Sequence, residues 1–253
     1  YGSGDKENVR KSVHTFILFM FILSIALSLL GVALTPFLIK IIKAPPEVAK
    51  EEYIYLTIYF SGISGLLLYN MGSAIFRAVG NSQLPFIFLV VSACLNIIMD
   101  LVFVIVLKMG TSGVALATII SQAISALLVL GALKITQSQV SFKFRELKIN
   151  WKILSRIIFI GLPSAIQMAV TAFSNVFVQS YINQFGADVM GGWTAYNKVD
   201  QIIFLPMQCM GLAAMTFVGQ NYGAGNIKRA KRGADISLLS ALTSTLILVV
   251  PVI

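Results

Sequence analysis

The chain is organised by seven long runs of apolar residues that are separated by short polar segments. The runs cover residues 13–39, 53–76, 83–107, 110–133, 157–185, 189–219 and 236–253. Of the first six, four contain no Lys, Arg, Asp or Glu, the third contains only Asp100, and the sixth contains Lys198 and Asp200. A helix needs about 20 apolar residues to cross a bilayer, where it satisfies its own backbone hydrogen bonds. The pattern therefore predicts an all-α, polytopic membrane protein with six spanning helices and the start of a seventh.

Composition and charge placement support this interpretation and add an orientation. Hydrophobic residues make up 57% of the chain and charged residues 11%, whereas soluble domains carry about a quarter charged residues. Fourteen of the 19 lysines and arginines lie in segments 1–12, 77–82, 134–156 and 221–235, and four lie in segments 40–52, 108–109 and 186–188. By the positive-inside rule, the first set, including loops 134–156 and 221–235, is cytoplasmic in a multi-pass protein of the cell (inner) membrane. We expect no nucleic-acid partner, because the net charge of +9 comes from residues that flank apolar runs.

The longest polar connection predicts a surface helix and a division of the chain. Phe144, Leu147, Trp151 and Leu154 recur at helical spacing between Lys143, Arg145, Lys148 and Lys152. We expect an amphipathic helix on the cytoplasmic surface with its bases against anionic membrane lipid; the alternative is a solvated basic linker. The predicted domains are a four-helix portion at 1–135, this linker at 136–156, and a second portion at 157–253.

Two similar turns indicate an internal repeat. The chain opens with Tyr1-Gly2-Ser3-Gly4, and Tyr222-Gly223-Ala224-Gly225 stands 221 positions later, each followed by a capping Asp or Asn, a basic pair and an apolar run. Six predicted spans lie between the copies, so both copies lie on the same side. This predicts two six-helix units related by an axis along the membrane normal, as in many secondary transporters. We expect the chain to be the middle portion of a protein of about twelve helices.

Several local strings resemble one family, the multidrug and toxic compound extrusion (MATE) transporters. The strings are Phe76-Arg77-Ala78-Val79-Gly80-Asn81 with Pro85, Asn96-Ile97-Ile98-Met99-Asp100, Gly113-Val114-Ala115-Leu116-Ala117-Thr118 with Gln122, Gly161-Leu162-Pro163-Ser164, and Val218-Gly219-Gln220-Asn221-Tyr222-Gly223-Ala224-Gly225. The resemblance implies two six-helix lobes, of which this chain holds the third to eighth helices and the start of the ninth. It also implies export of amphipathic, often cationic organic compounds in exchange for Na⁺ or H⁺. Where some members carry a carboxylate in the seventh helix, this sequence has Thr171, so an ion site built on that carboxylate does not carry over.

Polar residues inside the apolar runs are the candidate pathway residues, because polar groups in a bilayer need a partner or a cavity. In the third run, Asn96 and Asp100 follow Ser92 at intervals of four, on one helix face. They contact an ion or substrate, or they form an interhelical hydrogen-bond cluster that fixes packing.

Two further polar stripes lie on the fifth and sixth runs. The fifth carries Gln167, Thr171 and Asn175, and the sixth carries Asn197, Asp200 and Gln201. Facing stripes from consecutive helices would line a water-filled cavity. Asp200 would exchange a proton there or bind Na⁺ through oxygen ligands, or, in the structural alternative, pair with Lys198 or another neighbour.

Other functions have less support in the sequence. The residues offer no nucleophile–base–acid set, no phosphate-binding loop and a single histidine, His14, interpreted as a satisfied or headgroup-level side chain. We therefore expect neither an enzyme nor a cofactor, although an integral-membrane enzyme such as an acyltransferase remains the alternative of another class. A lipid or lipid-linked oligosaccharide flippase is the nearer alternative, but it should place more cations in its cavity helices than Lys198 alone.

Overall fold

The computed structural model describes residues 1–42, 46–136 and 140–249, and the described chain is helical without strands. Each of its seven long helices contains a segment long and apolar enough to cross a membrane. The all-α polytopic prediction is therefore confirmed. The helices are α1 (Lys6–Ile42), α2 (Pro46–Ala78), α3 (Gln83–Leu101), α4 (Gly110–Ile135), α5 (Trp151–Ile182), α6 (Ala187–Gly223) and α7 (Ile227–Val249).

The helices extend beyond the apolar runs at several ends. Helix α1 begins at Lys6 and α5 at Trp151, seven and six residues before the corresponding runs, because a helix continues past the hydrocarbon where its charged residues are solvated. Glu7 lies in the first turn of α1, where its negative charge interacts favourably with the positive end of the helix dipole. The last four positions of the seventh run, 250–253, lie outside the described residues, as do 43–45 of segment 40–52.

The chain divides into two compact units, residues 6–154 and residues 1–5 with 155–253. In the first unit, α2 packs against both α1 and α4, and α3 packs against α4. Small residues permit the close α2–α4 approach: a Cβ at Gly65 would lie 2.9 Å from the Ala123 amide nitrogen, and one at Gly72 would lie 2.7 Å from Val129 Cγ1. Contacts of this kind are typical of membrane helix pairs, where small residues bring backbones together.

The apolar core of the first unit lies at one end of its bundle. It is formed where α1 begins, with Val13 and Ile17, and where α2 and α4 end, with Phe76 and Leu133. On the predicted orientation this is the cytoplasmic end. At this end, packing removes apolar surface from water, so the hydrophobic effect stabilises the core. Farther along the bundle the helices face lipid, and the hydrophobic effect does not drive their packing.

The linker does not form the predicted amphipathic helix, and that prediction is wrong for the residues described. Residues 137–139, including Ser138, lie outside the described residues. Segment 140–150 contains no α-helix and only one 3₁₀ turn, at Phe144–Glu146, and helix begins at Trp151. Phe142, which was not part of the predicted apolar stripe, is 2% exposed and joins the core together with Val140. This irregular segment places both side chains in the core formed by α1 and the ends of α2 and α4, whereas an independent surface helix would leave them outside.

Polar contacts fix the same segment along the first turns of α1. The buried Thr15 hydroxyl accepts a hydrogen bond from the Asn150 N–H (3.1 Å) and donates to the Lys148 carbonyl (3.4 Å). His14 Nδ1 lies 2.8 Å from the Arg10 carbonyl, and His14 Nε2 accepts from the Lys143 N–H at 3.5 Å. Both ring nitrogens therefore have a backbone partner, so the expectation of a satisfied histidine is confirmed.

In the second unit, α6 packs against α7, and the repeated turns have the same geometry. Gly4 and Gly225 have φ of 71° and 76°, and their N–H groups donate to the carbonyls of Tyr1 (3.1 Å) and Tyr222 (3.0 Å). This left-handed conformation favours glycine at both positions. The copies also touch, because a Cβ on Gly2 would collide with the Gln220 carbonyl. The sequence repeat is therefore matched by a repeated local structure, while the axis relating two six-helix units stays a prediction.

Candidate functional site

The polar face of α3 is the best-defined candidate site in the first unit. Ser92 is buried and donates a 2.6 Å hydrogen bond to the Ser121 carbonyl of α4. A second anchor joins the far ends, since a Cβ on Gly113 would lie 3.0 Å from Phe103 Cβ. The two helices are therefore antiparallel, and this register puts Asn96 and Asp100 one and two turns beyond Ser92, beside the first half of α4.

Asn96 and Asp100 carry buried polar atoms that lack partners. Asn96 Nδ2 and Asp100 Oδ1 are inaccessible to solvent and have no hydrogen-bond partner among the described residues. Gln122 Oε1, one residue past Ser121 on α4, is in the same state. A hydrogen-bond cluster that only fixed packing should satisfy these atoms, as Ser92 is satisfied, because each unpaired buried polar group costs about 1–3 kcal/mol. Asn96 Nδ2 and Asp100 Oδ1, a donor and an acceptor one turn apart on α3, suit a water molecule or a hydrated cation.

The backbone of α3 changes geometry directly after this pair. Residues Val102–Val106 form a π-helical turn, in which the Leu107 N–H bonds to the Val102 carbonyl at 2.9 Å. Segments of π-helix are rare and occur frequently at functional sites. The departure from regular helix therefore lies beside the only carboxylate of this span.

Within the second unit, none of the described helices packs along the polar stripe of α5. Gln167, Thr171 and Asn175 are all exposed, and the Thr171 hydroxyl donates to the Gln167 carbonyl at 3.1 Å. Helix α6 packs along α7 and not along α5. The stripes of α5 and α6 are therefore not brought together, and the cavity between them stays a prediction.

The α6 stripe is partly covered. Asn197 and Asp200 are half-buried, whereas Gln201 is exposed. Trp193 and Tyr196 stack beside them, with ring centroids 5.2 Å apart. Among the ion pairs of the described residues, none joins Asp200 to Lys198, so the structural alternative for Asp200 has no support from that pair. No group of three or more His, Cys, Asp or Glu within 1–42, 46–136 and 140–249 is placed to hold a metal ion.

Sequence reasoning missed two features of the first unit. The first is the buried polar side chain of Gln122, for which a glutamine in an uncharged apolar run is itself the signal. The second is a cavity of about 470 Å³ between α1 and the linker, lined by residues that include Arg10, His14, Thr15, Glu146 and Lys148. Two of these lining residues, Arg10 and Glu146, form an ion pair, and no spacing along the sequence indicates that pair.

Comparison with known proteins agrees with this arrangement of helices. The chain is 32% identical over 228 residues to the probable multidrug resistance protein YpnP of Bacillus subtilis (strain 168), covering 90% of this chain and 51% of that protein. It is 23% identical to the FAD transporter of Shewanella oneidensis, covering 99% of this chain and 56% of that protein. Among solved structures, the crystal structure of MATE in the bent conformation superposes with a TM-score of 0.88 at 23% identity, covering 98% of this chain and 56% of that one.

These similarities cover nearly all of the chain but only part of its relatives. The chain spans about half the length of the curated relatives it matches. The structural likeness, at 23% identity, supports the fold. The MatE family model matches residues 1–102 and 163–253, which is more than half of the sequence and includes both copies of the repeated turn. The chain therefore belongs to the MatE family of membrane transporters.

Proposed function

We propose that this chain forms part of a secondary active exporter of small amphipathic organic molecules, driven by the entry of Na⁺ or H⁺. The observation that carries the proposal is the pair of unpartnered buried atoms, Asn96 Nδ2 and Asp100 Oδ1, on a spanning helix of a MatE family member. Ionisable residues within spanning helices are costly and mark ion or substrate pathways in general.

Asp100 is the proposed coupling residue of the first unit. An anionic carboxylate between α3 and α4 attracts a cation, and binding of Na⁺ or a proton removes one unit of charge from an apolar region. Asn96, one turn away on the same helix face, contributes its amide group, and water completes the shell. A change of one charge biases one helix arrangement over another, which is what coupling to export requires.

The polar stripes of the second unit are proposed to line the substrate path. Gln167, Thr171 and Asn175 on α5 present uncharged hydrogen-bonding groups, and Asp200 on α6 supplies a negative charge that suits organic cations. Cytoplasmic placement of loops 134–156 and 221–235, in the cell (inner) membrane, belongs to the same proposal and rests on the charge bias.

Substrate identity has two candidates that one assay separates. The name of the B. subtilis relative supports drug-like compounds, and the name of the S. oneidensis relative supports FAD, a dinucleotide. Organic cations fit the carboxylates of α3 and α6 better than an anionic dinucleotide does. A lipid flippase is a weaker alternative, because Lys198 is the only cation well inside the described spanning segments of α5 and α6.

The test uses the full-length protein in proteoliposomes, with efflux of a fluorescent organic cation and of FAD measured under separate Na⁺ and H⁺ gradients. Asp100→Asn should reach the membrane with unchanged thermal stability and lose gradient-driven export at least tenfold. Asp235→Asn makes the same chemical change at an exposed position in α7 and should export normally. If Asp100→Asn exports normally under both gradients, Asp100 is not the coupling residue. If the unmodified protein moves neither substrate under either gradient, the export proposal itself fails.

A further inference from the structure

The linker has two sides, and only one of them is used by the fold. Phe142 is 2% exposed and lies in the core, whereas its ring partner Phe144 is 64% exposed. Trp151, which opens α5, is 75% exposed. The contacts of Thr15 with the backbone of Lys148 and Asn150 hold this side outward. Two large aromatic side chains therefore face away from the protein in a segment whose backbone is fixed.

The charges on this outer side are positive. Four exposed cations lie in the same segment as the two exposed aromatic rings. Together these residues form what we term the basic–aromatic surface: Lys143, Phe144, Arg145, Lys148, Trp151 and Lys152. Glu146 is the only acidic residue between positions 140 and 154. It pairs with Arg10 and, at 3.4 Å, with Lys143. The one negative charge thus pairs with one cation of α1 and with one of this surface, and none of the ion pairs among the described residues involves Arg145, Lys148 or Lys152.

The position of this surface within the bundle indicates what covers it. It lies where α1 begins, α4 ends and α5 begins, which is the level at which a spanning helix meets lipid headgroups. Tryptophan prefers this interface, and each basic residue near an anionic leaflet adds about 1 kcal/mol of attraction. A water-facing partner such as an acidic protein or a nucleic acid would use the cations but would not require exposed aromatic rings at headgroup depth.

We propose that the basic–aromatic surface binds anionic phospholipid headgroups of one leaflet, with Phe144 and Trp151 inserted at the interface. The cations then make binding selective for acidic lipid, and the two rings anchor the surface at the depth of the interface. The surface is separate from the polar faces of α3, α5 and α6, so lipid binding here does not depend on the proposed transport activity.

The test measures quenching of Trp151 fluorescence in full-length protein reconstituted with brominated phosphatidylglycerol or brominated phosphatidylcholine. Subtracting the signal of the Trp151→Phe variant isolates this tryptophan. Brominated phosphatidylglycerol should quench Trp151 more strongly than brominated phosphatidylcholine does at the same mole fraction. The double variant Arg145→Gln/Lys152→Gln should reduce that preference by about fivefold for each cation removed. Lys40→Gln/Lys108→Gln, two exposed cations at the opposite ends of α1 and α4, should leave it unchanged.

Each contrary outcome overturns the proposal in a different way. An unquenched Trp151 with both lipids means that it does not reach the bilayer and that the surface faces water or another protein segment. Equal quenching by the two lipids, unaffected by the cation variants, means that the contact has no selectivity for acidic headgroups. Both double variants change only exposed side chains, so their melting temperatures should equal that of the unmodified protein. Equal melting temperatures show that a difference in quenching reports lipid binding and not unfolding.

Discussion

Replacing Phe142 by alanine tests whether the linker is held by the core of the first unit. The side chain is 2% exposed and packs among the core residues at the end of the bundle. Removing a buried phenylalanine costs about 3–5 kcal/mol, from lost transfer free energy and from the cavity left behind. Phe144, two residues away, is 64% exposed. Phe144→Ala loses mainly the edge-to-face contact with Phe142, at a centroid distance of 5.0 Å, worth about 1 kcal/mol.

Hydrogen exchange at the Asn150 amide reports these energies locally, because that N–H is bonded to the Thr15 hydroxyl. If segment 140–150 opens as one unit, Phe142→Ala should speed exchange there by about a hundredfold to several thousandfold, and Phe144→Ala by about fivefold. Amides in the middle of α4 should change far less in either variant. Equal acceleration by the two substitutions would refute the inward placement of Phe142 and favour the surface helix that the sequence predicts.

Three further predictions concern packing, the proposed substrate path and topology. Gly65→Ala should cost about 1–3 kcal/mol of stability by pushing α2 away from α4, whereas Gly131→Ala, which meets nothing within 4 Å, should not; a thermal melt in detergent compares them. Asp200→Asn should preserve abundance in the membrane and lower gradient-driven efflux, and a matching loss of thermal stability would instead assign Asp200 a structural role. A cysteine at Ala224 should resist a membrane-impermeant thiol reagent applied to intact cells while one at Ala187 reacts, and labelling of Ala224 would reverse the predicted orientation.

The candidate site was only partly readable from the sequence. Asn96 and Asp100 stand out because they are polar residues in an apolar run and share a helix face. The sequence leaves open whether such a pair is satisfied by a neighbouring helix. The unpartnered Asn96 Nδ2 and Asp100 Oδ1, on the same face as the paired Ser92, favour a site over a packing cluster. Burial and pairing depend on which helix lies opposite, and no single-chain periodicity carries that information.

What the sequence determined by itself is the set of properties that the solvent imposes. A bilayer requires about 20 apolar residues per span with internally satisfied backbone, so the spans were visible as apolar runs. A left-handed turn requires glycine, so Gly4 and Gly225 revealed the repeat. Only the tertiary structure determined the conformation of the linker. Helical spacing from Phe144 to Leu154 suggested an amphipathic helix, but the core receives Phe142, and α1 supplies backbone partners through Thr15. Those long-range contacts outweigh local periodicity because burying an aromatic ring in a packed core is worth more than the modest helix preference of a short segment.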